Sequence, residues 1–338
     1  MIAMKDIFKN KNVFITGGTG SFGKEFVSTI LNNHKPNKVV IYSRDELKQY
    51  ELANHFRKFE SKIRFFIGDI RDYSRLNMAL EGSNFVIHAA ALKQVPTAEY
   101  NPFETVKTNI IGSQNLIECC LNHESIDKVI ALSTDKAAAP INLYGATKLT
   151  ADKLFINANN YKGDREIKFS VVRYGNVFGS RGSVIPFFLK MKETGTLPIT
   201  DRAMTRFNIL LSEGVDFVIK SFSHMCGGEL FVPKIPSYNI VDLAKAVDKN
   251  CKIKIVGIRP GEKIHEEMIT KSDSYHTFDL GDFYIIASPV LLDIISDHYS
   301  KTNFKIKKVK EGFSYNSGDN KDFLNIGSLK SLIKDYKV

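Results

Sequence analysis

The 338-residue chain contains no tryptophan and only four cysteines, Cys119, Cys120, Cys226 and Cys251. Their spacing fits neither a metal site nor a disulfide framework, and the adjacent pair suits a helix interior. No apolar run reaches the roughly 18–20 residues that a bilayer span requires, which excludes an α-helical membrane protein. The opening residues, MIAMKDIFKNKN, lack the apolar core of a signal peptide, so the expected compartment is the cytoplasm. No basic run of five or more occurs, and aromatics are not interleaved with the lysines. The net charge of +10, from 47 basic and 37 acidic side chains, therefore reads as a Lys-rich surface plus cations serving an anionic small molecule, not as a nucleic-acid site. Hydrophobic content of 43% and charge of 25% are ordinary for a soluble globular protein. The length suits one large α/β unit or two intimate domains. No internal repeat is present.

What is present starts with a short buried-strand pattern, Val13-Phe14-Ile15. It runs into Thr16-Gly17-Gly18-Thr19-Gly20-Ser21-Phe22-Gly23 and then into a helical FVSTIL. Strand, glycine turn and helix in that order form the context of a dinucleotide fingerprint. Gly17 permits the tight turn, Gly20 allows backbone to approach a pyrophosphate, and Gly23 lets helix pack close to strand. A second strand over 38–42 ends in Ser43-Arg44-Asp45. An acidic residue at its tip would accept bonds from a ribose 2′-hydroxyl; Arg44 instead offers a planar cation to a 2′-phosphate, which favours NADP over NAD. A third strand, over 63–67, ends at Gly68-Asp69-Ile70, where Asp69 faces an adenine edge or caps the next helix.

The fourth strand, over 84–88, ends in Ala89-Ala90-Ala91, small side chains against which a cofactor can lie. His88 reads as a core residue, and Lys93 stands in the loop beyond, within reach of phosphate or sugar. The pattern predicts one long helix over 101–123 and a fifth strand over 128–133. That strand leads into Leu132-Ser133-Thr134-Asp135-Lys136 and, at helical spacing, Tyr144 and Lys148. Residues i and i+4 share a helix face, so Lys148 is expected beneath the Tyr144 hydroxyl, lowering its pKa and making it a usable base.

Alternating strands and helices through residue 175 predict a Rossmann-type, doubly wound parallel sheet whose ligands bind at the strands' carboxyl ends. Beyond 176 the rhythm changes to a Gly/Ser loop and shorter segments. Residues 1–175 are thus expected to form the dinucleotide domain and residues 176–338 a smaller substrate lobe interleaved with it. Arg259-Pro-Gly-Glu-Lys makes a turn carrying a cation and a carboxylate. The Lys-rich stretch from about residue 300 reads as peripheral.

With the glycine turn, Thr134, Tyr144 and Lys148 in place, the chain resembles the extended short-chain dehydrogenase/reductases. Longer motifs narrow the resemblance: SRDELKQ at 43–49, AALKQVP at 90–96, LSTDKAAAPINLYGATK at 132–148, RYGNV at 173–177, SRGSVIPFF at 180–188, MTRF at 204–207 and IRPGEKIHE at 258–266. These are similar to the inverting UDP-N-acetylglucosamine 4,6-dehydratases that open pseudaminic acid synthesis. A related capsule-forming branch carries Met where this chain has Tyr144. The resemblance implies that Tyr144 takes the sugar 4-hydroxyl proton while NADP receives the C4 hydride and later returns it to C6. It implies that Asp135 and Lys136 serve as acid and base for water loss across C5 and C6, with no assignment between them. It extends the cofactor contacts to Thr19, Ser21, Phe22, Ser43, Asp45, Lys48, Ile70, Leu132, Ser133 and Val177. It places the UDP-sugar at Lys93, Asn176, Arg181, Val184, Thr200, Arg259 and Glu262, and it implies a homo-oligomer. A C4 epimerase or retaining dehydratase is the neighbouring reading, although an epimerase needs no Asp-Lys pair after Thr134. A non-catalytic NADP-binding sensor would have no use for an intact Thr134, Tyr144 and Lys148.

Overall fold

The computed structural model describes residues 6–180 and 182–336. Six strands, β1 (Asn12–Thr16), β2 (Lys38–Ser43), β3 (Ile63–Ile67), β4 (Phe85–His88), β5 (Lys128–Thr134) and β6 (Lys168–Tyr174), lie parallel in the order β3-β2-β1-β4-β5-β6. Segments such as VVIY and VIAL are apolar throughout rather than alternating, as strands covered by helices on both faces must be. The chain leaves β1 towards β2 and β3, then returns past β1 to lay down β4. That reversal opens a crevice at the carboxyl ends of β1 and β4, where doubly wound sheets take their ligands.

The same sheet continues past β6 with Glu229–Pro233, parallel to β6, and then with Phe283–Ala287, Thr277–Asp279 and Lys307–Lys308, all antiparallel. Between these returns, two small sheets form the second lobe. One joins Asn176–Val177, Thr205–Ile209 and Ser237–Asn239; the other joins Thr196–Ile199 and Lys252–Ile255. The lobe has its own apolar core, which includes Phe178, Ile185, Phe188, Leu197 and Leu243.

Two expectations change. The single helix over 101–123 is instead Pro102–Val106, a π-turn over Lys107–Ile111, and Gly112–Asn122. The extra residue in that turn accompanies the inward side chain of Asn109, which bonds to a neighbouring loop; hydrophobic periodicity carries no signal for such a bond. The region beyond residue 300 is also not peripheral. Tyr315, Ser317 and Leu329 are buried, and Tyr315–Asn316 pairs with Glu267–Ile269. Tyr336 donates its hydroxyl to the Gly179 carbonyl at 2.9 Å. Isolated anchors in a Lys-rich stretch leave no periodic pattern to read. His88 is the core residue expected, bonded to Thr16 at 2.8 Å and Ser113 at 3.1 Å. Cys119 and Cys120 are buried within a helix, and all four cysteines are free. Among the described residues no helix is long and apolar enough to cross a membrane.

The return to the main sheet at Glu229 is held by one fully buried carboxylate. It accepts from Ser170 Oγ at 2.6 Å, the Cys226 and Gly227 amides at 2.6 and 2.8 Å, and the Tyr299 hydroxyl at 3.2 Å. Glu229→Ala strands Ser170 Oγ and the two backbone amides, which have no other partner among the described residues, whereas the Tyr299 hydroxyl keeps the His224 carbonyl at 3.2 Å. The expected loss is about 3 kcal/mol of unfolding free energy. A urea titration checks it, and an unchanged midpoint would show that the carboxylate adds nothing.

Candidate functional site

At the carboxyl edge of the sheet lies a cleft of about 1090 Å³. One end is built from backbone and small side chains. Gly17 has φ +68°, and a Cβ there would sit 2.9 Å from the Ala89 and Ala90 backbone. A Cβ on Gly23 would fall 2.4 Å from Gly18 Cα, so only glycine lets α1 (Ser21–Asn33) start this close to β1. No side chain caps α1 and no acid stands in its first turn, which leaves its amide dipoles open to an anion. Thr19, Gly20, Ser21 and Phe22 line this end of the cleft together with Ala89, Ala90 and Ala91.

The tip of β2 adds charge. Ser43, Arg44, Asp45 and Lys48 all line the cleft, and Asp45 caps the next helix by accepting from the Lys48 amide at 3.0 Å. Asp69 is engaged elsewhere: it accepts from Arg71 at 2.6 Å and faces Arg44 at 3.6 Å. Burial works to raise its pKa, but the Arg71 hydrogen bonds hold the carboxyl below its ordinary value. It does not cap the next helix, which Asp72 does. Ile70, not Asp69, lines the cleft.

The opposite end gathers titratable groups. β5 ends at Thr134, whose hydroxyl donates to Asp135 Oδ1 at 2.9 Å. Lys136 Nζ lies 3.1 Å from Asp135 Oδ1 and 3.2 Å from Glu266 Oε1, and Arg206 Nε is 3.7 Å from the same Glu266 oxygen. Asp135 is 1% exposed and Glu266 2%. Burial raises the Asp135 pKa, against the pull of Lys136. Lys136 goes upward: burial opposes its charge, but the Asp135 and Glu266 carboxylates outweigh it. Glu266 goes down, because Lys136 and Arg206 overcome its burial.

Tyr144 and Lys148 face the cleft from the Leu143–Asn157 helix, as the spacing predicts. The direction of the Tyr144 shift is the reverse of that expected. Burial pushes the phenol up to about 12, and the cation acting most strongly against it is Lys136. Lys148 is itself buried, which lowers its pKa, with Asp152 opposing. Spacing alone counts the nearby ammonium and omits the desolvation of the phenolate.

Leu132, Ser133 and Val177 also line the cleft, as do Lys93, Asn176 and Glu262. Thr200 donates to Glu262 at 3.3 Å, and the Arg259 guanidinium stands 3.9 Å from the same carboxylate, so both adjoin Glu262 without lining the cleft themselves. Val184 opens the Val184–Met191 helix, also off the cleft wall. Arg181 lies outside the described residues. Four buried polar atoms at the cleft have no hydrogen-bond partner among the described residues: Thr108 Oγ1, Asp135 Oδ2, Asn176 Oδ1 and Ser183 Oγ. Such atoms are rare in a folded protein, and at a cleft they are open to a polar ligand or to water.

Glu266, Arg206, Asn109, Thr108 and Ser183 carry no assigned role in the sequence reading. The first two lie within recognisable motifs, but their pairing with Lys136 spans distant segments. Asn109 clamps the loop after β4: it accepts from the Leu92 amide at 2.8 Å and donates to the Leu92 carbonyl at 2.9 Å and to Thr147 Oγ1 at 3.0 Å.

The sheet reversal beside β1, the uncapped glycine turn and the Tyr144/Lys148 helix across one cleft define the extended short-chain dehydrogenase/reductase class. Within that class the chain belongs to the family of polysaccharide biosynthesis proteins, which matches residues 13–288. It is 53% identical over 331 residues to the inverting UDP-N-acetylglucosamine 4,6-dehydratase of Campylobacter jejuni subsp. jejuni serotype O:23/36, covering 97% of this chain and 98% of that one. It is 39% identical to a UDP-glucose 4-epimerase of Rickettsia typhi, over 97% and 96% of the two chains. Among solved structures it is similar to Pen from Bacillus thuringiensis, with a TM-score of 0.87, 40% identity, and coverage of 97% and 98%.

Asn109→Leu tests the clamp, since it keeps the volume and strands both polar groups of Leu92. The expected cost is about 2 kcal/mol of stability, with faster amide hydrogen exchange confined to residues around 89–94. Unchanged exchange at Leu92 would show that the loop is held by other contacts.

Proposed function

We propose that the protein is a UDP-N-acetylglucosamine 4,6-dehydratase that inverts C5 and uses NADP. Its product is UDP-2-acetamido-2,6-dideoxy-beta-L-arabino-hex-4-ulose, at the first step of pseudaminic acid synthesis, made in the cytoplasm by a homo-oligomer. The observation that carries this reading is the pairing of buried Asp135 with Lys136, directly after Thr134 and sharing a cleft with Tyr144, in a chain so similar to a protein of that name.

The glycine turn and uncapped α1 suit a dinucleotide pyrophosphate, and Arg44 suits a 2′-phosphate. The bound nicotinamide supplies a transient oxidation at C4 and the matching reduction at C6, with no net redox change. The protein's own groups do the rest. Tyr144 accepts the proton of the sugar 4-hydroxyl through its minor phenolate form; burial disfavours that form, and the Lys136 charge offsets part of the cost of reaching it. The 4-keto group acidifies C5, and Asp135 and Lys136 then move the C5 proton and protonate the departing C6 hydroxyl. Asp135 Oδ2, buried and unpartnered among the described residues, is free to take part. Asn176 and Glu262 hold the uridine diphosphate end with Thr200, Arg259, Val184 and Arg181, while Lys93 stands between cofactor and sugar.

Incubation of the purified protein with UDP-N-acetylglucosamine deuterated at C4, without added cofactor, tests the reading. NMR should find a 6-deoxy-4-keto sugar with the label at C6 and C5 inverted. A C4 epimer with no loss of water would support an epimerase, and label lost to solvent would exclude this mechanism.

Cofactor choice follows from Arg44. Arg44→Ala should weaken NADP relative to NAD by about 1–3 kcal/mol, a factor of roughly 5 to 150. Titration calorimetry with each dinucleotide measures the ratio, and equal affinities in the unmutated protein would refute it.

A further inference from the structure

Glu266 sits outside the cleft wall, yet it is the second carboxylate on the Lys136 ammonium, at 3.2 Å against 3.1 Å for Asp135. Its backbone is locked to the chain's final segment: the Glu266 amide donates to Ser317 Oγ at 2.9 Å and the Ser317 amide donates to the Glu266 carbonyl at 2.8 Å. Ser317 Oγ also meets Thr205 Oγ1 at 2.7 Å, one residue from Arg206. Arg206 is anchored through NH1 to the Thr205 and Ile264 carbonyls at 2.7 and 3.1 Å, which points its Nε towards Glu266. One oxygen of Glu266 is thus committed to two cations, and the other, Oε2, is buried with no partner among the described residues. A carboxylate this deeply buried is costly to keep unless its charge is needed nearby.

On the dehydratase reading, we propose that Glu266 is a positioning residue for the loss of water, orienting Lys136 beside Asp135 and acting as its second counter-charge. A single carboxylate would let Lys136 swing with Asp135 whenever that group changes its proton. With Glu266 on the other side, the ammonium keeps its place and a compensating charge through each step. Arg206 holds Glu266 in turn, and Lys263 adds a further positive charge near it. The other titratable groups that feel Lys136 are Asp135, Tyr144 and Tyr238. None of these can stand in for Glu266, because Asp135 is engaged in the chemistry and the tyrosines are neutral at physiological pH.

The sign of the effect is definite. A nearby carboxylate favours the charged amine, so removing its charge lowers the pKa of Lys136; removing the Arg206 charge raises it. Water loss is followed in single turnovers from about pH 6 to 10, with the bound dinucleotide in place. The two carboxylates hold the Lys136 pKa above its ordinary value, so the unmutated protein should show no loss of rate from Lys136 within this range. Glu266→Gln keeps the shape and a carbonyl acceptor, and it should bring a falling high-pH limb into the range. Glu266→Asp, which restores the charge, should remove that limb again. A uniform loss of rate with a flat high-pH profile in Glu266→Gln would reduce Glu266 to a packing role and overturn the proposal. Should Glu266→Gln not fold, the paired Glu266→Gln/Arg206→Gln variant, which removes the carboxylate together with its own cation, gives the same readout with a smaller shift. The labelled-sugar experiment separates the two levels: no dehydrated product from the unmutated protein overturns the reading, whereas product with no new limb in the variants overturns only the role of Glu266.

Discussion

An ammonium group at the cleft wall, set between two buried carboxylates, is the constraint on which the rest of this structure depends. Taking ions out of water costs several kcal/mol each, so such a cluster is a poor way to gain stability. Its effect is geometric. Lys136 follows the end of β5, Glu266 precedes the Glu267–Ile269 strand, and Arg206 lies on a strand of the second lobe. The charges can be satisfied only when all three segments are in register, so the placing of Asp135 and Lys136 depends on segments far apart in the chain. Removing any one partner leaves a buried charge uncompensated, a larger penalty than the loss of an ordinary contact.

The two ends of the cleft reach their accuracy by opposite means. At the glycine turn the constraint is steric: Gly17 and Gly23 leave no room for a Cβ, and Ala89–Ala91 keep the floor low. Shape there is decided by backbone and is insensitive to pH. At the Asp135 end the constraint is electrostatic, carried by side chains whose protons move. The loop after β4 lies between the two ends, and Asn109 ties it to Thr147 on the helix that carries Tyr144 and Lys148. The π-turn that delivers Asn109 is therefore a joint between the two ends of the cleft.

Features written in local order were legible in the sequence. The strand, glycine turn and helix at 12–33, the small residues after β4, and the four-residue step from Tyr144 to Lys148 each announce themselves within one element, and the structure brings all of them to one cleft. Features that depend on meeting at a distance were not. The contact of Glu266 with Lys136 joins residues 130 positions apart, and the bond of Asp69 to Arg71 leaves no periodic trace. The Tyr144 shift was misjudged for a related reason: spacing shows which charge is near but not how much water has been excluded. The final segment was misjudged because its composition is that of a surface, while its role rests on a few anchors.

Those anchors also bear on the order in which the molecule is finished. Strands β1 to β6 are complete by Tyr174, but their core is shared with Phe222, Phe231 and Tyr299, which come much later in the chain. The Asp135 end waits longer still. Tyr336 is bonded to Gly179 across 157 intervening steps, and Ser317 must arrive before Glu266 has its backbone partners. During translation the nascent chain therefore holds no complete cleft until nearly its whole length has been made.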